Sequence, residues 1–323
     1  MNRNFKRILI TGITGSGGSY LAEHIIKKKN KIKMFGLYRS KGYLPYLKNK
    51  YGKKINFFRI DLKNYNKLKS IIKIIKPDLI FHLASNADVR KSFDKPIELT
   101  NNNNLITSNL LESIRALKLK PLIIICSTSE VYGIVEKKNM PINENQPINP
   151  INPYAVSKSF QDLLSQVYIK SFDFKIIITR MFSYTNPRRD NLFQTSFAKQ
   201  ISLIEKGKLK KLKHGNLLSV RNFIDTDDAM EAYWFAAKKG KIGEIYNIGG
   251  EKIISVKSFL NELIKLSQTK IVKVADKKLF RPRDINLQVC DSRKFKKDTG
   301  WKPKVSFKVS INKLMLECRK LYI

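Results

Sequence analysis

The sequence predicts an α/β protein: a doubly wound parallel sheet joined to a smaller mixed α/β lobe. Three observations carry the prediction. An apolar strand run, Arg7 to Ile10, leads into Gly12, Gly15 and Gly18 in the spacing G-x-x-G-x-x-G, and a helical apolar pattern follows through Leu21, Ile25 and Ile26. Strand and helix patterns then alternate through the first half of the chain. Finally, 323 residues that are 42% hydrophobic can bury a large core.

The Gly-rich turn opens the argument. Strand, turn and helix in this order let the backbone of Gly12, Gly15, Ser16, Gly17 and Gly18 approach a pyrophosphate. The charge of that group would rest on the free N–H groups and positive dipole end of the helix. Further strands are predicted at Met34 to Tyr38, Ile55 to Ile60, Leu79 to Leu83 and Leu122 to Cys126. Helices are predicted from about Asn64 to Ile75, around Asn102 to Leu117, and from Pro153 onward. A Rossmann-type NAD(P)-binding domain over 1–181 and a substrate-binding lobe over 182–323 follow from this, with about 218–250 returning to the first domain. Asp225-Thr226-Asp227-Asp228 reads as the cap of a helix through Ala229, Ala232 and Tyr233, not as a metal cluster.

Composition excludes other classes. No apolar run approaches the length of a membrane span, so the chain reads as a cytoplasmic protein with no membrane partner. Cys126, Cys290 and Cys318 lie far apart, as do His24, His82 and His214, so neither a structural disulfide nor a metal site is expected. A formal charge of +37 raises the question of nucleic acid, but the lysines are spread evenly and no nucleic-acid-binding signature accompanies them. Lys, Asn and Ile are overused together, as their A/T-rich codons would produce. The positive field suits an anionic small substrate.

The cofactor is read from the strand ends. The second strand ends Leu37-Tyr38-Arg39-Ser40 without a carboxylate for an NAD ribose hydroxyl, and Arg39 suits a 2′-phosphate, so NADP is favoured with NAD as the other option. Asp61 and Leu62 are placed to meet the adenine, and Leu83, Ala84 and Ser85 follow the fourth strand beneath the cofactor.

Chemistry concentrates after the fifth strand, where Ser127-Thr128-Ser129-Glu130-Val131-Tyr132-Gly133 lies at a C-terminal end. Tyr154 and Lys158, four apart on one helical face, form a general-base pair in which the ammonium is expected to lower the phenol pKa and hold the nicotinamide ribose. The Thr128 hydroxyl would share the substrate proton.

With these residues in view, the chain resembles the extended short-chain dehydrogenase/reductases that modify nucleotide sugars. It is most like the GDP-mannose 4,6-dehydratases and the related GDP-4-keto-6-deoxymannose reductases. The likeness rests on Thr11 to Gly15 with Gly18 to Glu23, His82-Leu83-Ala84, Ser127 to Gly133 and Tyr154 to Lys158. It continues through Asn186 to Arg189, Gly215 to Leu217 with Arg221, Tyr246 to Gly249, Arg281-Pro282 and Gly300 to Pro303. The resemblance implies a nucleotide-diphosphate-sugar substrate and a homodimer or higher homo-oligomer. The triplet Thr128-Ser129-Glu130 matches the dehydratase pattern, in which Glu130 would take the C5 proton as water leaves C6. Ser85, Asn186, Lys199, Arg221 and Arg281 are the substrate-side candidates, the cations for the diphosphate. The alternative is a keto-sugar reductase or epimerase. Ser183 stands where the family usually has Asn, Phe193 to Ile201 looks more like the reductase branch, and the segment after Arg39 is short.

Overall fold

The computed structural model describes residues 2–28 and 31–322. Its strands are β1 (Arg7–Thr11), β2 (Lys33–Tyr38), β3 (Ile55–Arg59), β4 (Leu79–His82), β5 (Leu122–Thr128) and β6 (Lys175–Met181). They continue with β7 (Leu212–His214), β8 (Val220–Phe223), β9 (Ile245–Ile248), β10 (Lys252–Ser255), β11 (Lys273–Ala275) and β12 (Leu287–Gln288). The α-helices are α1 (Ser16–Lys28), α2 (Leu44–Tyr51), α3 (Tyr65–Ile75), α4 (Val89–Asp94), α5 (Pro96–Ala116) and α6 (Pro153–Phe172). After them come α7 (Phe193–Glu205), α8 (Thr226–Lys239), α9 (Val256–Ile264), α10 (Arg293–Thr299) and α11 (Phe307–Tyr322).

Seven strands pair in parallel in the order β3-β2-β1-β4-β5-β6-β9, so all of their C-terminal ends open on one edge. Side chains alternate across the sheet. Ile8, Ile10, Phe81 and Ile124 pack on the face carrying α1 and α8, while Leu9, Ile80, Ile123 and Ile125 pack on the face carrying α3 and α5. Both faces are covered, which is why these strands read as continuous apolar runs.

The second lobe has its own core. Phe223 stacks on Phe259 at 4.7 Å between ring centroids, with Phe193 and Phe307 against them. Its sheet is β10-β8-β12, beside a two-stranded pair of β11 and β7. Residues 226–248 return to the large unit: α8 packs on α1, and β9 joins β6 with Ile178 opposite Ile245. Asp225 caps α8 by accepting from the Asp227 N–H.

Two elements differ from the sequence expectation. The helix predicted around Asn102 begins at Pro96, and α4 precedes it with Asp88 as its cap. The run Asn101 to Asn104 lowers helix propensity and conceals the start. Tertiary bonds override it. Asn103 accepts from the Asn86 N–H and donates to Ser157, and Asn109 donates to the carbonyls of Leu62 and Lys63.

A buried ion pair ties α6 to the sheet. Arg180 on β6 donates to both Asp162 oxygens, from Nε at 2.8 Å and Nη2 at 3.1 Å, and Ser127 on β5 donates to the same carboxylate. Arg180 also donates to the Tyr132 hydroxyl, which donates to Asn247 on β9. Removing one partner strands the other charge in the interior. Arg180→Met should therefore cost about 3–5 kcal/mol in urea unfolding; a loss below about 1 kcal/mol would show that Asp162 finds other support.

Candidate functional site

The C-terminal edge of the large sheet and the second lobe enclose a cleft of about 410 Å³. Its floor is the turn from β1 into α1. Gly12 has φ +69°, a value at which a side chain is strained, and a Cβ there would lie 2.8 Å from the Ala84 Cα. A Cβ on Gly18 would meet the Gly12 carbonyl oxygen at 2.3 Å. These contacts seat the helix against the ends of β1 and β4. Gly15, Ser16 and Gly17 line the cleft beside them, with room over Gly17 bounded by Leu83 and Tyr184. A bare backbone at the N-terminus of a 13-residue helix fits a pyrophosphate, so the cradle suits a dinucleotide.

Beneath the cradle, Thr11 meets the His82 ring at 2.8 Å and accepts from the Ala84 N–H. Burial holds the His82 imidazole neutral, its pKa pulled down to about 3.

The four chemical candidates converge. Asn152 caps α6 by accepting from the Ala155 N–H, and Pro153 pre-sets the first turn. That geometry aims Tyr154 and Lys158 at the end of β5, where Thr128 and Glu130 also line the cleft. Asn152 donates to Glu130 at 3.0 Å, so one side chain both starts the helix and orients the carboxylate. Burial pushes the Tyr154 phenol up to about 12. The Arg189 cation and a hydrogen bond with Thr128 act against the rise, and the Glu130 charge adds to it.

In the structure the Lys158 ammonium bonds to groups other than the Tyr154 phenol. Lys158 Nζ donates to the Cys126 carbonyl at 2.5 Å and to Gln161 Oε1, and the nearby cation that lowers the phenol is Arg189. Helical spacing places both side chains on one face, but the β5 carbonyl and Gln161, three residues on, compete for the ammonium. Burial lowers its pKa to about 8.

Of the substrate-side candidates, Ser85, Arg221 and Arg281 line the cleft. Arg221 is buried, bonded to the carbonyls of Val220 and Ile285, and desolvation lowers its pKa although Glu130 and Asp284 oppose the shift. Arg281 lies 3.5 Å from Asp284.

Asn186 and Lys199 do not line the cleft. Asn186 is fully buried in a turn, accepting from the Arg188 N–H while its carbonyl accepts from Thr195. Lys199 pairs with Asp190 at 3.0 Å and lies over the Tyr322 ring. Leu62 is a core side chain, and Asn109 binds its carbonyl. Arg39 is exposed, donates to Asn102 and stands 3.9 Å from Asp61. Arg189, quoted in the sequence only as part of a motif, lines the cleft and is a functional candidate that residue-by-residue reading passed over; its place in the run Asn186-Pro187-Arg188-Arg189 was the available signal.

The family model for GDP-mannose 4,6 dehydratase matches residues 9–314. A dTDP-D-glucose 4,6-dehydratase of Dictyostelium discoideum is 34% identical over 278 residues, 81% of this chain; the matched region spans 62% of that relative's length. The UDP-glucuronic acid 4-epimerase of Bacillus cereus, in complex with UDP-glucuronic acid and NAD, superposes with a TM-score of 0.86. It is 27% identical, with 98% of this chain and 99% of that one covered. RMD from Pseudomonas aeruginosa, complexed with NADPH, has a TM-score of 0.82 at 23% identity, covering 98% and 99%, and shares the fold. Extending over nearly all of the chain, the match agrees with the Gly-rich cradle and the Thr128, Glu130, Tyr154 and Lys158 cluster: the protein belongs to the GDP-mannose 4,6-dehydratase family of nucleotide-sugar-modifying short-chain dehydrogenase/reductases.

Proposed function

We propose that this chain is a lyase that converts GDP-mannose to GDP-4-keto-6-deoxymannose, with NADP as a cofactor that is regenerated within each turnover. The observation that carries the reading is Glu130, held by Asn152 in the same cleft as Tyr154 and close enough to act electrostatically on both Tyr154 and Arg221. A carboxylate there adds to the phenol a second base, which simple carbonyl reduction does not need.

A bound nicotinamide would supply the hydride chemistry, from C4 of the sugar and back to C6. Tyr154, neutral at rest, acts once it has lost its own proton to solvent: as the phenolate it accepts the O4 proton, shared with the Thr128 hydroxyl, while C4–H gives up hydride, so the C4 alcohol becomes a ketone. That ketone acidifies C5–H. Glu130 takes the C5 proton while the C6–O bond breaks and hydroxide leaves as water on a proton from Tyr154 or Glu130; as hydride arrives at C6, the remaining proton, exchanged with solvent, goes to C5. Lys158 holds the ribose, and Gly12 to Gly18 hold the pyrophosphate of the cofactor. Arg221 and Arg281 suit the diphosphate of the substrate, and Arg189 adds positive charge beside the sugar.

Two apolar helix faces support a second copy of this chain as partner. Val156, Phe160, Leu163 and Val167 form an exposed stripe on α6, and Leu105 and Ile97 are exposed on α5, which packs against it. Light scattering should give twice the chain mass, and Leu163→Arg should give the chain mass alone. Equal masses for the two proteins would place the interface elsewhere.

Tyr154→Phe should lower turnover by about 10²–10⁴-fold with the fold intact. Glu130→Gln should still oxidise C4 but fail to eliminate. In deuterated water wild type should place solvent deuterium at C5 of its product, and the variant should take up none. Because the Dictyostelium relative is named for dTDP-D-glucose, both sugars belong in the assay. Steady NADPH oxidation with a 4-keto-6-deoxy sugar, and no reaction with either hexose, would replace the lyase with the reductase.

Arg39, exposed just past the end of β2, would read the 2′-phosphate. Arg39→Ala should raise the Kd for NADP by about tenfold or more while leaving that for NAD within about twofold, as expected for loss of one charge-assisted contact. Equal losses would assign Arg39 to the surface.

A further inference from the structure

We propose that Gln161 is a positioning residue for Lys158: its amide oxygen keeps the buried ammonium charged and aimed, through a hydrogen-bonded chain that ends at the phosphate-binding turn. The inference rests on the cofactor part of the reading above, since it concerns the lysine that would hold the ribose.

The chain has one consistent set of directions. Lys158 Nζ donates to Gln161 Oε1, and Gln161 Nε2 donates to Thr107 Oγ1 at 2.8 Å. Thr107 in turn donates to the Asn103 carbonyl at 3.0 Å, so its oxygen is an acceptor toward His82 Nε2, 3.1 Å away. A neutral imidazole with its proton on Nε2 leaves Nδ1 to accept from Thr11, whose oxygen accepts from the Ala84 N–H. Every proton has a place. The amide of Gln161 is thereby fixed with its oxygen toward the lysine, and a flip would set its NH₂ group against an ammonium.

Among the described residues, no other side chain accepts a hydrogen bond from Lys158 Nζ. Asp162, one residue beyond Gln161 on α6, is already held by Arg180 and Ser127. Cys126 on β5 contributes its carbonyl, while burial keeps its thiol protonated. Tyr233 of α8 lies against that thiol, His82 of β4 is neutral, and Tyr154 on the same helix is a neutral phenol. A buried ammonium with a single carbonyl acceptor loses its proton more readily. Gln161 therefore sets the pH at which Lys158 is charged.

A dinucleotide held by the ammonium is released as pH rises through the pKa of Lys158. Binding of NADP alone, followed by fluorescence quenching between pH 6 and 10 with thermal unfolding checked at each pH, reads this midpoint without any sugar. Gln161→Leu should move the midpoint down by about one to two pH units, the worth of a hydrogen bond to a charged group. Gln161→Glu, which puts a carboxylate in the same place, should move it up; if the leucine variant does not fold, the glutamate variant decides alone. Coincident midpoints in wild type and the folded variants, or a uniform loss of affinity at every pH, would overturn the proposal. No binding by wild type at any pH would instead overturn the cofactor reading, and this inference with it.

Discussion

The buried pair of Arg180 and Asp162 is the constraint on which the site depends. It joins β6 to the middle of α6, and through Ser127, Tyr132 and Asn247 it reaches β5 and β9. Such a pair contributes little net stability relative to an apolar replacement, because both ions give up their hydration. What it fixes is position. With α6 locked in rotation and height against β5, Lys158 and Tyr154, about one and two turns toward its N-terminus, face the strand end that carries Thr128 and Glu130. Asn152 completes the arrangement by capping the helix and binding Glu130.

The electrostatics of the cleft follow from burial more than from net charge. A chain of +37 has cations everywhere, yet those facing the site differ in their circumstances. Arg221 and Lys158 are buried, and desolvation lowers the pKa of both. Lys199 is a cation in the right lobe whose charge is already taken by Asp190, and it contributes nothing to the cleft. Arg189 gains its influence from location, near enough to Tyr154 to counter some of the rise that burial imposes.

The sequence made local chemistry legible. The Gly-rich turn was readable because only glycine fits where Gly12 meets Ala84 and Gly18 meets the Gly12 carbonyl, and the strands because two covered faces demand continuous apolar runs. Tyr154 and Lys158 were readable from their helical period together with the Gly-rich turn and the Ser/Thr-rich strand end before them, but the direction of the lysine was not. It is decided by Gln161 and the Cys126 carbonyl, the latter a partner 32 positions away in the chain. The same long-range origin hid the first turns of α5, where buried Asn103 binds the backbone of Asn86; Asn186 was misplaced for a local reason, its side chain being taken up by its own turn. Residue type announces what a side chain can do; only packing says which partner it is given.

The proposed lyase reaction requires that one bound cofactor carry hydride from C4 to C6 of the same sugar. The most direct test supplies GDP-mannose bearing deuterium at C4 to purified protein with catalytic NADP, and locates the label in the product by mass spectrometry and NMR. The account predicts deuterium at C6 of a 4-keto-6-deoxy sugar, with the cofactor unchanged at the end. Deuterium left on released NADPH, or a label that never leaves C4, would contradict it.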